Sequence, residues 1–327
     1  MRVLKTGTVL ATDVFHFTGG IIGRPLVAGG IVIGPIGGPT GPQYIGPMSF
    51  AEACVAASDA GSYFMGTNQI HANDGPERSE FWYPNLGSEG AQRQSSDTWS
   101  AIAYTASTAG DSVSSELARY LAMSMRCAGW RLREVSRLHN EQLEWALISG
   151  RKSGSRFSNI AIFELHLAIH SLLGELCAAR DYLAHIAAIR VGAKAGTDCL
   201  AWLQRWLAKP ANAQALDDPL ITLLREASGD AASPGWLMDL GELRNRVTHR
   251  QPMAANPDVT ALWLREIATR KGMMATIRLA PSRSASEEVR EDPSVSVLRF
   301  WLAMEAMCRR AATHMAYEPS IPHFIAE

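Results

Sequence analysis

The chain is poor in lysine and has almost no net charge. Only five of its 31 basic residues are lysines, and the formal net charge is −1. A chain without an overall field is not drawn as a whole onto nucleic acid or membrane, so any site for a polyanion must be a local patch. Arginine carries nearly all the positive charge, and its planar fork suits phosphate groups.

Cysteines are few as well, and they are scattered. The five of them never form a C-x-x-C pair, which predicts free thiols in a reducing compartment and argues against a zinc site built from cysteine. The sequence shows no early basic-then-apolar signal segment and no run of about 18 uninterrupted apolar residues. We therefore expect a cytoplasmic protein without a membrane partner.

Residues 1–47 differ in composition from the rest of the chain. Short β-branched runs alternate with many glycines and prolines in FTGGIIGRPLVAGGIVIGPIGGPTGPQYIGP. This composition predicts short strands joined by tight turns, with the prolines confined to edges or irregular structure. A phosphate-binding loop is not indicated, because neither G-x-x-x-x-G-K-[ST] nor a G-x-G-x-x-G between a strand and a helix is present.

Helical periodicity dominates the remainder. The polar segment Ser79–Ser100 predicts an exposed loop, and MMATIRLA at 273–280 predicts a strand. Ser114 or Ser115 is the expected N-cap of the helix that follows the loop, with Glu116 in its first turn. The predicted helices are 48–60, 114–148, 159–190 (one helix, or two broken near Gly174), 198–208, 218–227, 235–249, 257–271 and 295–315.

The stretch LGELRNRVTHR carries the strongest functional pattern. An arginine followed by a histidine after four to six residues occurs four times, but only Arg244 to His249 has an asparagine, Asn245, directly after the arginine. Pro252 also disfavours further helix there. In an ideal helix Asn245 and His249 share a face, whereas Arg244 lies about 140° around and about 7.5 Å along the axis from His249. The long arginine side chain bridges that gap most easily if the last turn unwinds.

A cation, an amide and an imidazole around one spot fit metal-free cleavage of a phosphodiester. RNA carries its own nucleophile in the 2′-hydroxyl, so an enzyme needs to move protons and stabilise charge on the phosphate. Histidine transfers protons near neutral pH, and arginine holds the developing charge. One histidine cannot conveniently serve both sides of the phosphate, which makes a symmetric dimer attractive.

This stretch resembles the signature of the HEPN superfamily, helical domains whose R-x4–6-H motif commonly reads R-N-x-x-x-H. Many members are metal-independent endoribonucleases of toxin, CRISPR or phage-defence systems and act as dimers with facing motifs. The resemblance implies RNA as substrate, a homodimer, a regulatory partner or antitoxin, and catalytic Arg244 and His249 supported by Asn245. In one toxin branch a tyrosine follows the histidine by two positions; Gln251 stands there, so regulation through that tyrosine is not implied.

The predicted helix 159–190 carries a narrow polar stripe of His166, His170, Cys177 and Asp181. The stripe cannot be one site, since its ends lie about 22 Å apart. Because many HEPN-like ribonucleases use a helical acid near the Arg-His pair, the resemblance makes Asp181 the first candidate for that acid and Glu175 the second. The alternative is a surface charge paired with a neighbour.

These patterns combine into one expected architecture. We expect a mainly α protein: an irregular, partly β, Gly/Pro-rich region of unknown role over 1–97, and a HEPN-like helical bundle over 98–327. The expected function is metal-independent RNA cleavage without a cofactor or metal.

Two other functions stay open. One is a catalytically silent HEPN-like dimer that binds or regulates. The other is a metal-dependent hydrolase using His166 and His170, which lacks an H-E-x-x-H motif and a nominated third ligand. Arginines 126, 131, 133 and 137 are either local phosphate contacts or a solvated helix face.

Overall fold

The computed structural model describes residues 2–4, 9–37, 42–72, 78–84, 94–230, 232–250, 261–279 and 292–319. The chain divides into two compact units, neither continuous in sequence. Unit 1 comprises Met1–Ala91, Gly129–His170 and Gln251–Leu298. Unit 2 comprises Gln92–Ala128, Ser171–Arg250 and Arg299–Glu327. The first passage from unit 1 to unit 2 lies six residues before the boundary predicted at 97/98.

The N-terminal region is a regular antiparallel sheet, so the expected fold class was wrong in this respect. Among the described residues, strands follow in the order β5–β4–β3–β2–β6–β7, with β1 paired to β2. The protein is therefore mixed α and β, although helices hold the larger share, and it is not a helical bundle with an irregular appendage. The strands are β1 (Arg2–Leu4), β2 (Val9–Phe17), β3 (Ile22–Pro25), β4 (Ile31–Ile36), β5 (Gln43–Met48), β6 (Phe64–Ala72) and β7 (Arg78–Pro84).

Glycine and proline, which suggested irregular structure, are accommodated inside this sheet. Pro35 and Pro47 both lie in intervals where the register between β4 and β5 shifts, and such irregular places tolerate a residue that cannot donate to the ladder. A Cβ on Gly34 would come within 2.8 Å of the Gln43 carbonyl oxygen, so the close approach of the two strands requires glycine. These residues therefore allow β4 and β5 to pair despite two shifts in register.

The first helix covers the sheet where the sequence predicted a helix. Helix α1 (Phe50–Asp59) begins with a capping box, in which Glu52 N–H donates to the Ser49 hydroxyl at 3.2 Å and Ser49 N–H donates to the Glu52 carboxylate at 2.8 Å. Its small buried face lets the helix approach the strands closely. The core between them contains Phe17, Ile21, Ile33, Met48, Ala53, Ala56, Ala57, Ala60 and Met274.

The helix predicted over 257–271 was wrong, because the described part of this segment belongs to a second sheet. Its order is β10–β9–β8, formed by β8 (Arg156–Phe157), β9 (Leu262–Thr269) and β10 (Gly272–Leu279). Leu262 and Leu264 are fully buried at a two-residue interval, as a strand requires, and β9 pairs along its whole length with β10. The strand predicted at 273–280 is confirmed over the part described. Residues 251–260 lie outside the described residues.

The helices that follow are α2 (Ser95–Thr108), α3 (Ser112–Ile148), α4 (Ile162–Arg190), α5 (Leu200–Leu207), α6 (Pro219–Ser228), α7 (Trp236–Asn245) and α8 (Pro293–Ala312). Helix α4 runs unbroken through Gly174. The predicted N-cap of α3 was wrong: the Asp111 carboxylate accepts from Ser114 N–H at 3.0 Å, and the Ser115 hydroxyl donates to the Ala103 carbonyl instead. The predicted loop Ser79–Ser100 was also wrong at both ends, which belong to β7 and α2.

Helix α4 is long and apolar enough, by length and composition alone, to cross a membrane. However, 56% of its most apolar window is buried inside the protein. A core helix has the same composition, so this feature is weak evidence for a membrane span.

In unit 2, α2 is joined to α8 by buried polar contacts. The Trp99 indole N–H donates to the Cys308 carbonyl at 3.0 Å. The buried Glu305 carboxylate accepts from Ser95 N–H at 2.7 Å and from the Ser95 hydroxyl at 2.5 Å, so it caps the first turn of α2 from a distant part of the chain.

Candidate functional site

The R-N-x-x-x-H motif lies at the end of α7 and in a π turn, Arg246–Arg250, that directly follows it. Leu237, Leu240 and Val247 are buried and anchor this segment within unit 2. A π turn rotates less per residue than an α-helix does. The angle between Arg244 and His249 is therefore smaller than the roughly 140° that a continuous α-helix would give. The turn therefore favours an approach of His249 to Arg244. Pro252 lies outside the described residues.

Arg244 is half-buried and turned toward its own motif and α4. Its Nη1 donates to the Asn245 side-chain carbonyl at 2.8 Å. Burial raises the pKa of the Cys177 thiol on α4, and the neighbouring guanidiniums of Arg180 and Arg244, the latter also hydrogen-bonded to the thiol, partly offset that rise. Since the Asn245 oxygen is occupied by Arg244, the amide group of Asn245 is its remaining donor for a substrate oxygen.

A second arginine, which the sequence reasoning did not nominate, lies beside the motif. Arg180 forms a forked pair with Asp181, Nε to Oδ1 at 2.9 Å and Nη2 to Oδ2 at 3.1 Å. A Cβ added to Gly241 would come within 2.9 Å of Arg180 Nη1. The glycine therefore lets this guanidinium lie against α7 three residues before Arg244. The sequence signals of Arg180 were the adjacent Asp181 and its spacing to His185, one of the four arginine-histidine spacings.

Asp181 contributes to the site through Arg180. Besides its fork with that arginine, its Oδ1 accepts from Leu200 N–H at 3.2 Å, at the start of α5. Asp181 thus orients Arg180 and connects α5 to α4. Both of its described contacts are structural, so it acts on the site by positioning Arg180. Glu175, the second acidic candidate, is half-buried on α4.

His249 is exposed in the π turn. None of the described residues donates a hydrogen bond to its imidazole or accepts one from it. An exposed imidazole is accessible to a substrate in solvent. Five residues before it, Arg244 supplies a fixed positive charge, so the end of α7 carries both a cation and a group able to move protons.

Gly241→Ala tests whether Arg180 depends on the glycine. Alanine favours a helix interior by about 1 kcal/mol over glycine, but here its methyl group would displace the guanidinium. Gly174→Ala in α4 is the matched control, because a Cβ there meets nothing within 4 Å. We expect Gly174→Ala to raise the free energy of unfolding by about 0.5–1 kcal/mol, and Gly241→Ala to raise it less or to lower it. Equal gains in urea unfolding would show that Arg180 moves aside at no cost.

The two histidines proposed as metal ligands lie in different environments. His166 is buried, whereas His170 is exposed on the same helix. Within the ranges that the structure describes, no group of three or more His, Cys, Asp or Glu side chains could hold a metal ion. The metal-dependent alternative therefore gains no supporting geometry.

His166 belongs instead to a set of buried histidines in unit 1. Burial lowers the pKa of His139 to about 4, and burial together with nearby His139 lowers the pKa of His166 to about 4. Burial, then the charges of Arg133 and Arg24, lowers the pKa of His16 to about 3. Among described atoms, only His16 Nδ1 has a partner, the Ser136 hydroxyl at 3.0 Å. These imidazoles are neutral core groups.

The arginine cluster of α3 is engaged with acids. Arg126 pairs with Asp97 at 3.4 Å, Arg131 with Glu134 at 2.5 Å, Arg133 with Glu80 and Arg137 with Glu141. The pairs of Arg126, Arg131 and Arg137 are on the solvated face of the helix and contribute little to stability, whereas the pair of Arg133 with Glu80 is largely buried. The geometry thus favours the motif on α7, rather than α3, as the place for phosphate.

Comparisons with known proteins found no match: no family model, no curated protein and no solved structure matches the chain.

Proposed function

We propose that the protein is a metal-independent endoribonuclease of HEPN type, acting as a homodimer in a toxin or phage-defence system. The observation that carries the proposal is the grouping at the end of α7: Arg244 in its last turn and the exposed His249 in the π turn that follows. Arg180, oriented by Asp181, lies against the same helix at Gly241. The motif's composition is that of the HEPN ribonucleases, although the surrounding architecture is mixed α and β.

The proposed reaction needs no group beyond the side chains and the RNA. His249 takes the proton from a 2′-hydroxyl, whose oxygen attacks the adjacent phosphorus. The bond from phosphorus to the 5′-oxygen breaks, which leaves a 2′,3′-cyclic phosphate on one product and a 5′-hydroxyl on the other. Arg244 stabilises the charge on the non-bridging oxygens, and the Asn245 amide donates to one of them. The second copy's motif, or water, returns the proton to the 5′-oxygen.

Local charge supports RNA as the substrate. The overall charge is close to zero, but four arginines, Arg180, Arg244, Arg246 and Arg250, lie on or beside the last turns of α7. Arg246 is bound to Glu242 at 3.0 Å on the exposed surface, a contact that a phosphate can replace at little cost. Such a patch holds a polyanion without a basic protein around it.

The products of the reaction test this proposal. Purified protein is incubated with a labelled RNA in EDTA, beside the same sequence in 2′-O-methyl form. We expect cleavage of the RNA alone, with 2′,3′-cyclic phosphate and 5′-hydroxyl ends identified by mass spectrometry. Protein carrying His249→Ala, purified in parallel, controls for contaminating ribonuclease.

Two results would contradict the proposal. Cleavage that EDTA abolishes would favour metal-dependent hydrolysis. Tight binding of both oligonucleotides without any scission would instead identify a silent binding module, a reading favoured by the engagement of Arg244 with Asn245.

A further inference from the structure

A cavity of about 510 Å³ lies in unit 2 beside Asp181. The N-terminal part of α3 forms one wall, α4 forms the other, and the segment before α5 closes one end. Asp181 therefore belongs both to this cavity and to the anchor of Arg180 described above. The polar and aromatic groups that line it are Glu116, Tyr120, Asp181, Tyr182, His185 and Asp198.

The walls combine aromatic rings with carboxylates. The rings of Tyr120 and Tyr182 have centroids 5.5 Å apart and planes tilted by 42°. The Tyr120 hydroxyl donates to the Glu116 carboxylate and so orients it. A carboxylate has about four acceptor positions, which leaves Glu116 capacity for further donors.

The charge of the cavity selects its ligand. None of its described lining residues is a lysine or an arginine. Asp181 is already paired with Arg180, but the carboxylates of Glu116 and Asp198 repel a phosphate and attract a planar group that donates N–H bonds. A nucleobase meets both requirements, since its face stacks on tyrosine and its amino group donates to a carboxylate.

We propose that this cavity binds a base carrying an amino group, guanine, adenine or cytosine, in the RNA strand that is cleaved at Arg244 and His249. Uracil fits poorly, because its single ring N–H is flanked by two carbonyl oxygens that would face carboxylates. The inference rests on the proposed function, because the RNA bound at Arg244 and His249 is the one that extends into the cavity. Asp181, which lines the cavity and orients Arg180, links the two places. The cavity adds the element that the motif lacks, a means of choosing where the RNA is cut.

Binding of uncleavable oligonucleotides tests the pocket separately from catalysis. Fluorescein-labelled 2′-O-methyl hexamers UUNUUU, with N as each of the four bases, are titrated with wild type by anisotropy. We expect the G, A or C hexamer to bind at least about fivefold more tightly than the U hexamer, the lower end of what one well-made base contact contributes. Glu116→Gln with Asp198→Asn should remove that difference.

Tyrosine variants separate stacking from simple disruption. Tyr120→Leu should weaken binding of the preferred hexamer by about tenfold, whereas Tyr120→Phe, which keeps the ring but loses the hydroxyl that orients Glu116, should weaken it clearly less. Glu226→Gln, an exposed acid on α6 of the same unit, is the matched control and should change nothing.

The outcomes distinguish the two proposals. RNA cleavage by wild type together with equal binding of all four hexamers would overturn the pocket and leave the nuclease intact. Base preference without cleavage would support the pocket and overturn the nuclease. If spermidine binds with one-to-one stoichiometry while no hexamer exceeds the U hexamer, the occupant is an organic cation and the inference is wrong.

Discussion

Replacing either His249 or Arg244 by alanine is expected to slow EDTA-insensitive RNA cleavage by about 10²–10⁴-fold. The histidine variant loses proton transfer, which contributes about 10²–10⁴-fold in enzymes of this kind. The arginine variant loses charge stabilisation at the phosphate, which is worth about 10²–10³-fold. His249 is exposed and Arg244 is only half-buried at the end of α7, so the fold should tolerate their removal, and circular dichroism checks that it does.

Arg244→Lys sharpens the test. Lysine keeps the positive charge but lacks the planar fork, which here spans the Asn245 carbonyl and the Cys177 thiol. We expect Arg244→Lys to cleave RNA at less than a tenth of the wild-type rate, because a point charge does not reproduce a two-pronged contact. Full recovery would mean that charge alone matters.

The chain contains its own control for this series. Arg309 and His314 have the same spacing as Arg244 and His249 but no asparagine after the arginine. Arg309 is bound to Glu305 at 3.1 Å in α8, as an ordinary structural pair. His314→Ala should therefore cleave like wild type in single-turnover assays. The ribonuclease proposal fails if the Arg244 and His249 alanine variants do the same.

Long helices were predictable because their pattern is local. The three- and four-residue steps of α3 and α4 repeat over many turns, and α1 carries its own cap in Ser49 and Glu52. What the periodicity could not supply was the capping residue of α3, since Asp111 and the two serines all suit a helix start. The choice depends on Ser115 bonding to Ala103 of the preceding helix.

The strands were misread where a short run admits two periods. In LWLREIAT the leucines at 262 and 264 fit a strand, while Leu264 and Ala268 also fit a helix. Only pairing with β10 decides between them. In the N-terminal sheet, glycine and proline concealed regular strands because their suitability depends on the neighbouring strand, as at Gly34.

Part of the candidate site was accessible from sequence and part was not. The motif Arg244, Asn245 and His249 was identified by its asparagine and its position at a helix end. Arg180 was not, because its importance arises from Gly241 on another helix. A glycine inside a helix is a local cost whose reason, here a guanidinium lying against it, appears only in three dimensions.

Acid is expected to destabilise unit 1 steeply between pH 6.5 and about 4. Burial lowers the pKa values of His16, His139 and His166 to about 3, 4 and 4, against the ordinary histidine value of 6.5. As pH falls through this window the unfolded chain takes up protons that the folded chain refuses, so stability declines; below about 4 the folded state begins to bind them and the decline levels off. Each histidine contributes about 1.4 kcal/mol per pH unit, and together they reach about 4 kcal/mol per unit.

A single buried variant isolates this effect from the carboxylates that titrate in the same range. His166→Leu replaces an imidazole with no described partner by an apolar side chain, so stability at pH 7.5 should be unchanged or higher. Its free energy of urea unfolding should fall between pH 6.5 and 4.5 by about 1.4 kcal/mol per pH unit less than that of wild type, whereas the exposed His249→Ala should follow wild type. If His166→Leu retains the full slope, His166 is not a neutral core group, and the imidazole has a proton-sharing partner that keeps its pKa near the ordinary value.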